Sequence, residues 1–390
     1  MIVDKGVARL AAIVYFIQGS LGIASIALPL YMRAQGLSIA TITLITSVST
    51  APWFCKILYG ALSDSFPING LRRKPYLIIC SGISCLGWLL ISILPPQTAF
   101  LILGLSVANL GLAATDVITD GLVVEHSVEG TAQLYQGISW GSRSVGSVLA
   151  GVIGGFLAAQ VSAPVVFSIT AALPLISLGA SFFLEEQSFD RAGVRMSILS
   201  PIVKSLKQLV RGDLKWFSGF LFVASCSAAI GTPLFFYMRE QLRFDEVFLG
   251  ILGSVGWLGA ILGCIIFLLL SRVLSVKQTL YGVIGLGVFD VLLTLLIQSH
   301  VTAFAITLFS GILGFMIFLP LLSAAAKLSH GTGVESSLFA VLASLYNLGL
   351  ACSGLAGGLI YEWIGLHGLI LVTAVFLLSG FFIVPRMRTL

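Results

Sequence analysis

The sequence predicts an all-α membrane protein of twelve spanning helices in two six-helix halves. Three observations predict it. Hydrophobic residues make up 58% of the 390 and charged residues only 9%, with a mean hydropathy of +1.07. The apolar residues fall in stretches long enough to cross a bilayer. The basic residues gather in the connections on one side. A soluble domain is about 25% charged because its surface faces water. Here the surface faces something apolar, and a spanning helix needs roughly 20 predominantly apolar residues. Twelve such helices leave no room for a sizeable soluble domain.

Spans read at roughly 8–32, 38–62, 75–94, 98–125, 131–159, 163–184, 214–238, 246–271, 278–298, 301–327, 334–361 and 365–385. The first, from Val7 to Met32, is too long for the apolar core of a signal peptide. Pro95-Pro96 breaks the chain after the third span, and Gly130 and Gly331–Gly333 mark turns before the fifth and eleventh. The halves are 1–184 and 214–390, joined by a linker at 185–213.

Charge sets the orientation. Of 21 Lys and Arg, fifteen fall at the termini and in the 2–3, 6–7 and 8–9 connections. Only Arg33, Arg239 and Arg243 fall opposite. Lys56, Arg143 and Lys327 lie within or at the ends of spans. Short loops rich in Lys and Arg stay inside, so both termini are expected in the cytoplasm of a plasma (inner) membrane, or on the matching side of an organelle envelope. The net charge of +5 therefore reports topology, and no nucleic acid is expected. The linker runs from acidic to basic. Ser200-Pro201 suits a helix start, with serine as cap and proline at the first position. Ile202, Leu206, Leu209 and Val210 then share a face, with Lys204, Lys207 and Arg211 elsewhere. That pattern suits a helix on an anionic leaflet, and a solvated linker fits the same residues.

The linker divides an internal repeat. Tyr31-Met32-Arg33-x-Gln35 recurs 206 residues later as Tyr237-Met238-Arg239-x-Gln241. At an offset of 203, Gly130, Gly146, Gly151, Gly154 and Gly155 meet Gly333, Gly349, Gly354, Gly357 and Gly358. Gly151/Gly155 and Gly354/Gly358 stand four apart, a spacing that lets helix backbones approach in lipid. Parallel halves of this kind are a transporter architecture.

The second connection reads Gly60-x-x-x-Asp64, then Gly70-Leu-Arg72-Arg73-Lys74. This resembles the signature loop of the major facilitator superfamily, with extra residues between the aspartate and the arginines. Together with Pro52-Trp53-x-x-Lys56-x-x-Tyr59-Gly60 and Asp116-Val-x-x-Asp120-Gly-x-Val-Val-Glu125, it resembles the folate–biopterin transporter family. The resemblance implies uptake of folates or related pterins by alternating access of two halves about a midplane site, with or without protons.

The residues support such a site in their own right. A charge within a bilayer costs at least about 2.5–3.5 kcal/mol, so it needs a partner or a wet cavity. Lys56, Asp116, Asp120, Arg143 and Asp290 are the candidates. Asp116 and Asp120, four apart, share a helix face. A mutually neutralising ion cluster and a substrate or proton site both fit. Trp53 precedes Lys56 by three residues, and Trp140 precedes Arg143 by three. In the second half Trp257 falls near the equivalent of Trp53, and Tyr346 replaces Arg143. A flat ring with an acidic tail would suit stacking planes beside cations, although tryptophans also simply pack between helices. Lys56, Arg143, Trp53, Trp140, Trp257 and Tyr346 are thus expected at the substrate, with Asp116, Asp120 and Asp290 as proton carriers. Asp64, Arg72, Arg73 and Glu125 are expected at a gate, with Asp64 capping the start of span eleven.

Other classes fit less well. Another organic anion or an amino acid is the nearest alternative substrate. An intramembrane enzyme would need a catalytic motif, but Gly285-Leu-Gly287 runs on to Val288 and no Gly-x-Ser-Gly occurs. A receptor or scaffold would not need the repeat. Six cysteines and four scattered histidines show no metal-type spacing, so neither metal nor cofactor is expected. The expected partners are a small-molecule substrate and the bilayer, with the chain acting as a monomer.

Overall fold

The computed structural model describes residues 4–127, 131–188 and 199–388. Gly130, Arg191 and Arg195 lie outside them. The helices are α1 (Lys5–Ala34), α2 (Ile39–Ser65), α3 (Lys74–Ile93), α4 (Thr98–Glu125), α5 (Ala132–Gln160), α6 (Ala163–Phe182), a short α7 (Leu199–Leu209), α8 (Gly212–Gln241), α9 (Glu246–Leu270), α10 (Val276–Leu296), α11 (His300–Ser329) and α12 (Glu335–Leu378). Among the described residues, eleven helices are long and apolar enough to cross a membrane. The count differs from twelve because the last of these runs fifty residues, Ser337–Arg386. At 1.5 Å per residue such a helix is about 75 Å long, more than twice the hydrocarbon thickness. It turns at Gly365, whose φ of 69° and ψ of −177° are not helical. Two crossings in that one element account for the difference.

Large apolar side chains such as Phe183, Trp363, Val301 and Phe382 lie exposed on the surface. A water-soluble monomer rarely presents contiguous apolar area of this extent; here lipid covers it.

The chain forms two compact units. One comprises Met1–Met32 with Ser49–Ile198, the other Arg33–Val48 with Leu199–Leu390. The C-terminal part of α2, from Ser49, thus belongs with the first unit and its start with the second. In the second unit the backbone N–H of Ala40 donates to Glu362 at 2.9 Å, and Arg33 pairs with Glu240 at 2.7 Å. Gly354 and Gly358 of α12, the predicted close-packing pair, meet Ser47 and Thr43 of α2.

The repeat is structural as well as sequential. α1 tightens into a 3₁₀ turn at Leu21–Ile23, and α8 does so at Ser225–Ile230. The offset of 206 residues places the first break inside the second. Pro29 and Pro233 follow the breaks by a few residues. Each lacks an N–H and crowds the carbonyl four residues back, so neither helix runs on unperturbed. The repeated Tyr-Met-Arg motif ends a helix both times, in α-helix at Ala34 and in a π-helical turn over Tyr237–Gln241, and each arginine bonds a carbonyl just beyond the end. Arg33 donates to the Leu37 carbonyl and Arg239 to the Phe244 carbonyl.

The broken helices are held by close glycine contacts in both units. A Cβ on Gly146 of α5 would sit 2.2 Å from the Phe16 carbonyl of α1. A Cβ on Gly357 of α12 would sit 2.0 Å from the Ala229 carbonyl of α8. Backbone meets backbone at both points, with no flexible side chain to yield. Gly146→Ala is therefore expected to lower stability by about 1–3 kcal/mol, the usual cost of overpacking. Gly137→Ala, on the same helix with nothing within 4 Å of its Cβ, should leave it unchanged. Thermal unfolding of the detergent-purified variants checks this, and equal melting temperatures would refute the contact.

Candidate functional site

In the first unit, five spans bring polar side chains to one cluster. The second span is interrupted at Ala51–Cys55, a 3₁₀ turn with Pro52 near its start, and Lys56 begins the α-helix beyond it. Its ammonium lies 2.6 Å from Asp116 Oδ2 on α4. Asp116 Oδ1 accepts from the Gln18 side-chain amide on α1 at 2.9 Å. One turn on, Asp120 accepts a hydrogen bond from the Tyr15 hydroxyl. Tyr15 and Gln18 stand three apart on α1 and face the aspartates standing four apart on α4. Both spacings put a pair on one helix face.

The aromatic–cation pairs form as their spacing predicts. Lys56 Nζ lies 4.7 Å from the Trp53 ring, and the Arg143 guanidinium carbon 5.2 Å from the Trp140 ring. Trp53 is fixed from behind, because its indole N–H donates to Asn109 Oδ1 at 2.8 Å. Asn109 in turn donates to the Leu105 carbonyl at 2.9 Å. The two cations differ in their partners. Lys56 is matched by Asp116, whereas no carboxylate among the described residues lies within 4 Å of Arg143.

Beside Asp116 is a cavity of about 20 Å³, bordered by Gln18, Ser81, Ser84, Thr115 and Ser177. The Gln18 Oε1 and the hydroxyls of Ser81 and Ser84 are buried there without a hydrogen-bond partner among the described residues. A buried water needs about 10–15 Å³ and two to four polar partners, and this cavity offers both.

The predicted gate residues form a second cluster at the end of α2. Arg73, 4% exposed, lies 2.6 Å from Asp64 and 2.7 Å from Glu125, and Arg72 lies 3.1 Å from Glu125. Arg73 also donates to the Ser63 hydroxyl at 2.6 Å. The start of α3 is capped by Glu186, a residue sequence reasoning did not single out. Its carboxylate accepts from the backbone N–H groups of Arg72, Arg73 and Lys74 at 2.7–2.9 Å. A carboxylate there meets the positive end of the helix dipole. Asp64 was expected to cap span eleven; its carboxylate instead lies against Arg73. The N-terminus of α12 holds a carboxylate of its own. Hydrogen bonds from the backbone N–H groups of Glu335 itself and of Gly333 hold the Glu335 carboxyl below the usual range.

In the second unit Trp257 of α9 and Tyr346 of α12 join one aromatic chain. Trp257 contacts Phe315 at 6.2 Å, Phe315 contacts Phe318 at 6.1 Å, and Phe318 contacts Tyr346 at 5.7 Å. The two phenylalanines of α11 were missed from sequence, since nothing distinguishes them among 26. Asp290 on α10 has no cation within 4 Å among the described residues, and its Oδ1 is buried without a hydrogen-bond partner there.

The model of the BT1 family matches residues 18–370. The chain belongs to that family. Its sequence is 28% identical to a folate-biopterin transporter of Synechocystis, covering 90% of this chain and 74% of the relative. It is 26% identical to folate transporter 2 of Plasmodium falciparum, covering 79% and 70%. Among solved structures the nucleoside transporter NupG superposes with a TM-score of 0.80 at 14% identity, covering 98% of this chain and all of NupG. A bacterial homologue of the lysosomal transporter Spinster gives 0.71 at 15%, covering 98% and 97%. At such identities the likeness carries the fold alone, and that fold is the major facilitator type the sequence predicts.

In this BT1-family chain the Lys56–Asp116 pair is a largely buried contact whose loss bears on stability. Asp116 is 5% exposed, and removing one member of a buried pair costs about 3–5 kcal/mol because the other is left uncompensated. Lys56→Met alone should therefore melt well below the parent protein. Lys56→Met combined with Asp116→Leu should recover much of the loss. A double variant less stable than Lys56→Met would show that the pair does not carry the effect.

Proposed function

We propose that the protein imports folates or related pterins by alternating access, coupled to protons. It does so as a monomer and without catalysis, with both termini in the cytoplasm of the plasma membrane. Membership of the BT1 family and the names of its relatives support the substrate class. One observation carries the site reading: Arg143 lies beside an indole face with no carboxylate of its own. A guanidinium kept unmatched within a spanning helix is costly, and a planar fork suits a carboxylate held by two bonds. Folates supply a flat heteroaromatic ring and an acidic tail.

In this reading Trp53 and Trp140 stack the ring, and Arg143 takes the tail carboxylate. Within the second unit, Trp257 and Tyr346 are the ends of that unit's own aromatic chain through Phe315 and Phe318. Lys56 is shared. A substrate carboxylate that draws Lys56 away leaves Asp116 without its cation, and a proton then restores neutrality. Substrate and proton are thereby taken up together. Tyr15 keeps Asp120 hydrogen-bonded one turn away, and Asp290 is a second carboxylate able to carry a proton. Asp64, Arg72, Arg73 and Glu125 act as the cytoplasmic gate, in which Arg73 holds two carboxylates at once.

Uptake of labelled folate and of uncharged pterin into vesicles holding the pure protein tests the reading. The parent protein is expected to concentrate folate under an imposed proton gradient. Arg143→Lys should reduce folate uptake at least about tenfold, since one lost charged bidentate contact is worth about 1.5–3 kcal/mol, and should reduce pterin uptake much less. Equal losses for both ligands would make Arg143 structural. Asp116→Asn and Asp120→Asn should each abolish gradient-driven accumulation yet spare exchange at equal pH. Continued accumulation in both variants would move the coupling site to Asp290.

A further inference from the structure

We propose that α7 is an anionic-lipid-binding helix, seated in the headgroup layer of the cytoplasmic leaflet. The segment from Leu199 to Lys215 carries four cations, Lys204, Lys207, Arg211 and Lys215, and one acid, Asp213. Its faces divide three ways. Ser205 is fully buried, and Leu209 packs against the core formed by Leu214 and Phe217 of α8 and Leu338 and Leu342 of α12. Val203 and Leu206 are 45% and 51% exposed, and Val210, one step past the last helical residue, is 71% exposed. Lys204, Lys207 and Arg211 are exposed in the same register, one residue further on. At 100° per residue the order around the helix is packed face, exposed apolar stripe, cationic stripe. An apolar stripe beside a cationic stripe is what a helix lying in a bilayer interface presents.

The position of α7 identifies what meets these stripes. Only Val210 and Arg211 separate it from α8, a helix of spanning length, and the turn is made at Gly212 with φ +49°. The stripe is therefore tethered within a few residues of the bilayer surface. That level is marked by Trp216 in the first turns of α8. Lys215 Nζ lies 5.4 Å from its ring and the Arg386 guanidinium carbon 4.7 Å from it. Tryptophan flanked by cations is the signature of the headgroup layer. Arg386 and Arg388 are exposed and extend the cationic surface. The charge is complementary to phosphate-bearing headgroups, and Val203, Leu206 and Val210 reach the first acyl carbons beneath them.

The test uses the full-length protein and reads no transport, so it stands apart from the proposed substrate. Leu206→Cys and, as a control, Gln208→Cys are made with the six native cysteines replaced and labelled with bimane. The protein is reconstituted into phosphatidylcholine vesicles with and without phosphatidylglycerol. Leu206→Cys should be quenched by doxyl-labelled lipid and shielded from aqueous iodide, more so with phosphatidylglycerol, whereas Gln208→Cys should be quenched by iodide. Lys204→Gln, Lys207→Gln and Arg211→Gln together should remove the phosphatidylglycerol dependence, a weakening of roughly fivefold per cation. Iodide quenching of Leu206→Cys in both compositions would overturn the proposal. So would lipid quenching that ignores phosphatidylglycerol, or a label shielded only in native membranes, which would assign the stripe to another protein.

Discussion

Charge neutrality inside hydrocarbon is the constraint on which the first unit is built. Asp116 sits within α4 and is 5% exposed, so its charge must be answered close at hand. Lys56 does so from 2.6 Å and Gln18 adds a hydrogen bond. These contacts tie α1, α2 and α4 together at one depth. They also dictate local backbone. Lys56 reaches Asp116 from the first residue of a new helical segment, just past the 3₁₀ turn at Ala51–Cys55. Irregular backbone at membrane depth is tolerated only where protein or a wet cavity satisfies it. The break and the ion pair are thus two parts of one arrangement.

A second constraint is close approach. Two of the helices that break, α1 and α8, are each backed by a glycine-bearing partner, α5 and α12. Lipid offers no hydrophobic drive between helices, so association rests on packing and small residues. Gly146 and Gly357 place backbone against backbone where a methyl group would not fit. The repeat therefore preserves a mechanical unit, a bent helix clasped by a glycine-faced one, while the chemistry on it has diverged. Arg143 in one half is matched in register by Tyr346 in the other.

Much of this was legible in the sequence because it is local. Helix spacing alone places Trp53 with Lys56, Trp140 with Arg143, and Asp116 with Asp120, and all three hold. The paired arginines and Glu125 meet as expected. What was not legible is long-range. Gln18 and Tyr15 answer aspartates about a hundred residues away, and Glu186 caps a helix over a hundred residues earlier. Tyr15 and Gln18 did leave a trace, two polar groups on one face of an apolar span. Glu186 left none, since an acid in a loop is usually just solvated. The grouping of Arg33–Val48 with the second unit and the Arg33–Glu240 pair likewise depend on tertiary packing. The single fifty-residue element at the end is the opposite case. The boundary read from sequence between 361 and 365 falls at its turn, Gly365, but that the helix carries on through it was not legible.

The charges of the site are unequal in a way that bears on mechanism. If the cluster served structure alone, each cation would be expected to hold an acid, since every unpaired charge within a spanning helix adds cost. Lys56 meets that expectation. Arg143 does not, and Asp290 is left without a cation in the other unit. Unpaired charge retained at such cost is what an occupant that arrives and leaves, as proposed, would answer. In the proposed reading the occupant at Arg143 is anionic, with a flat apolar part against the Trp140 face beside it. For Asp290 a proton suffices. The proposed reading, a species with an acidic group and a ring that moves with protons, rests on these two unpaired groups as much as on the names of the relatives.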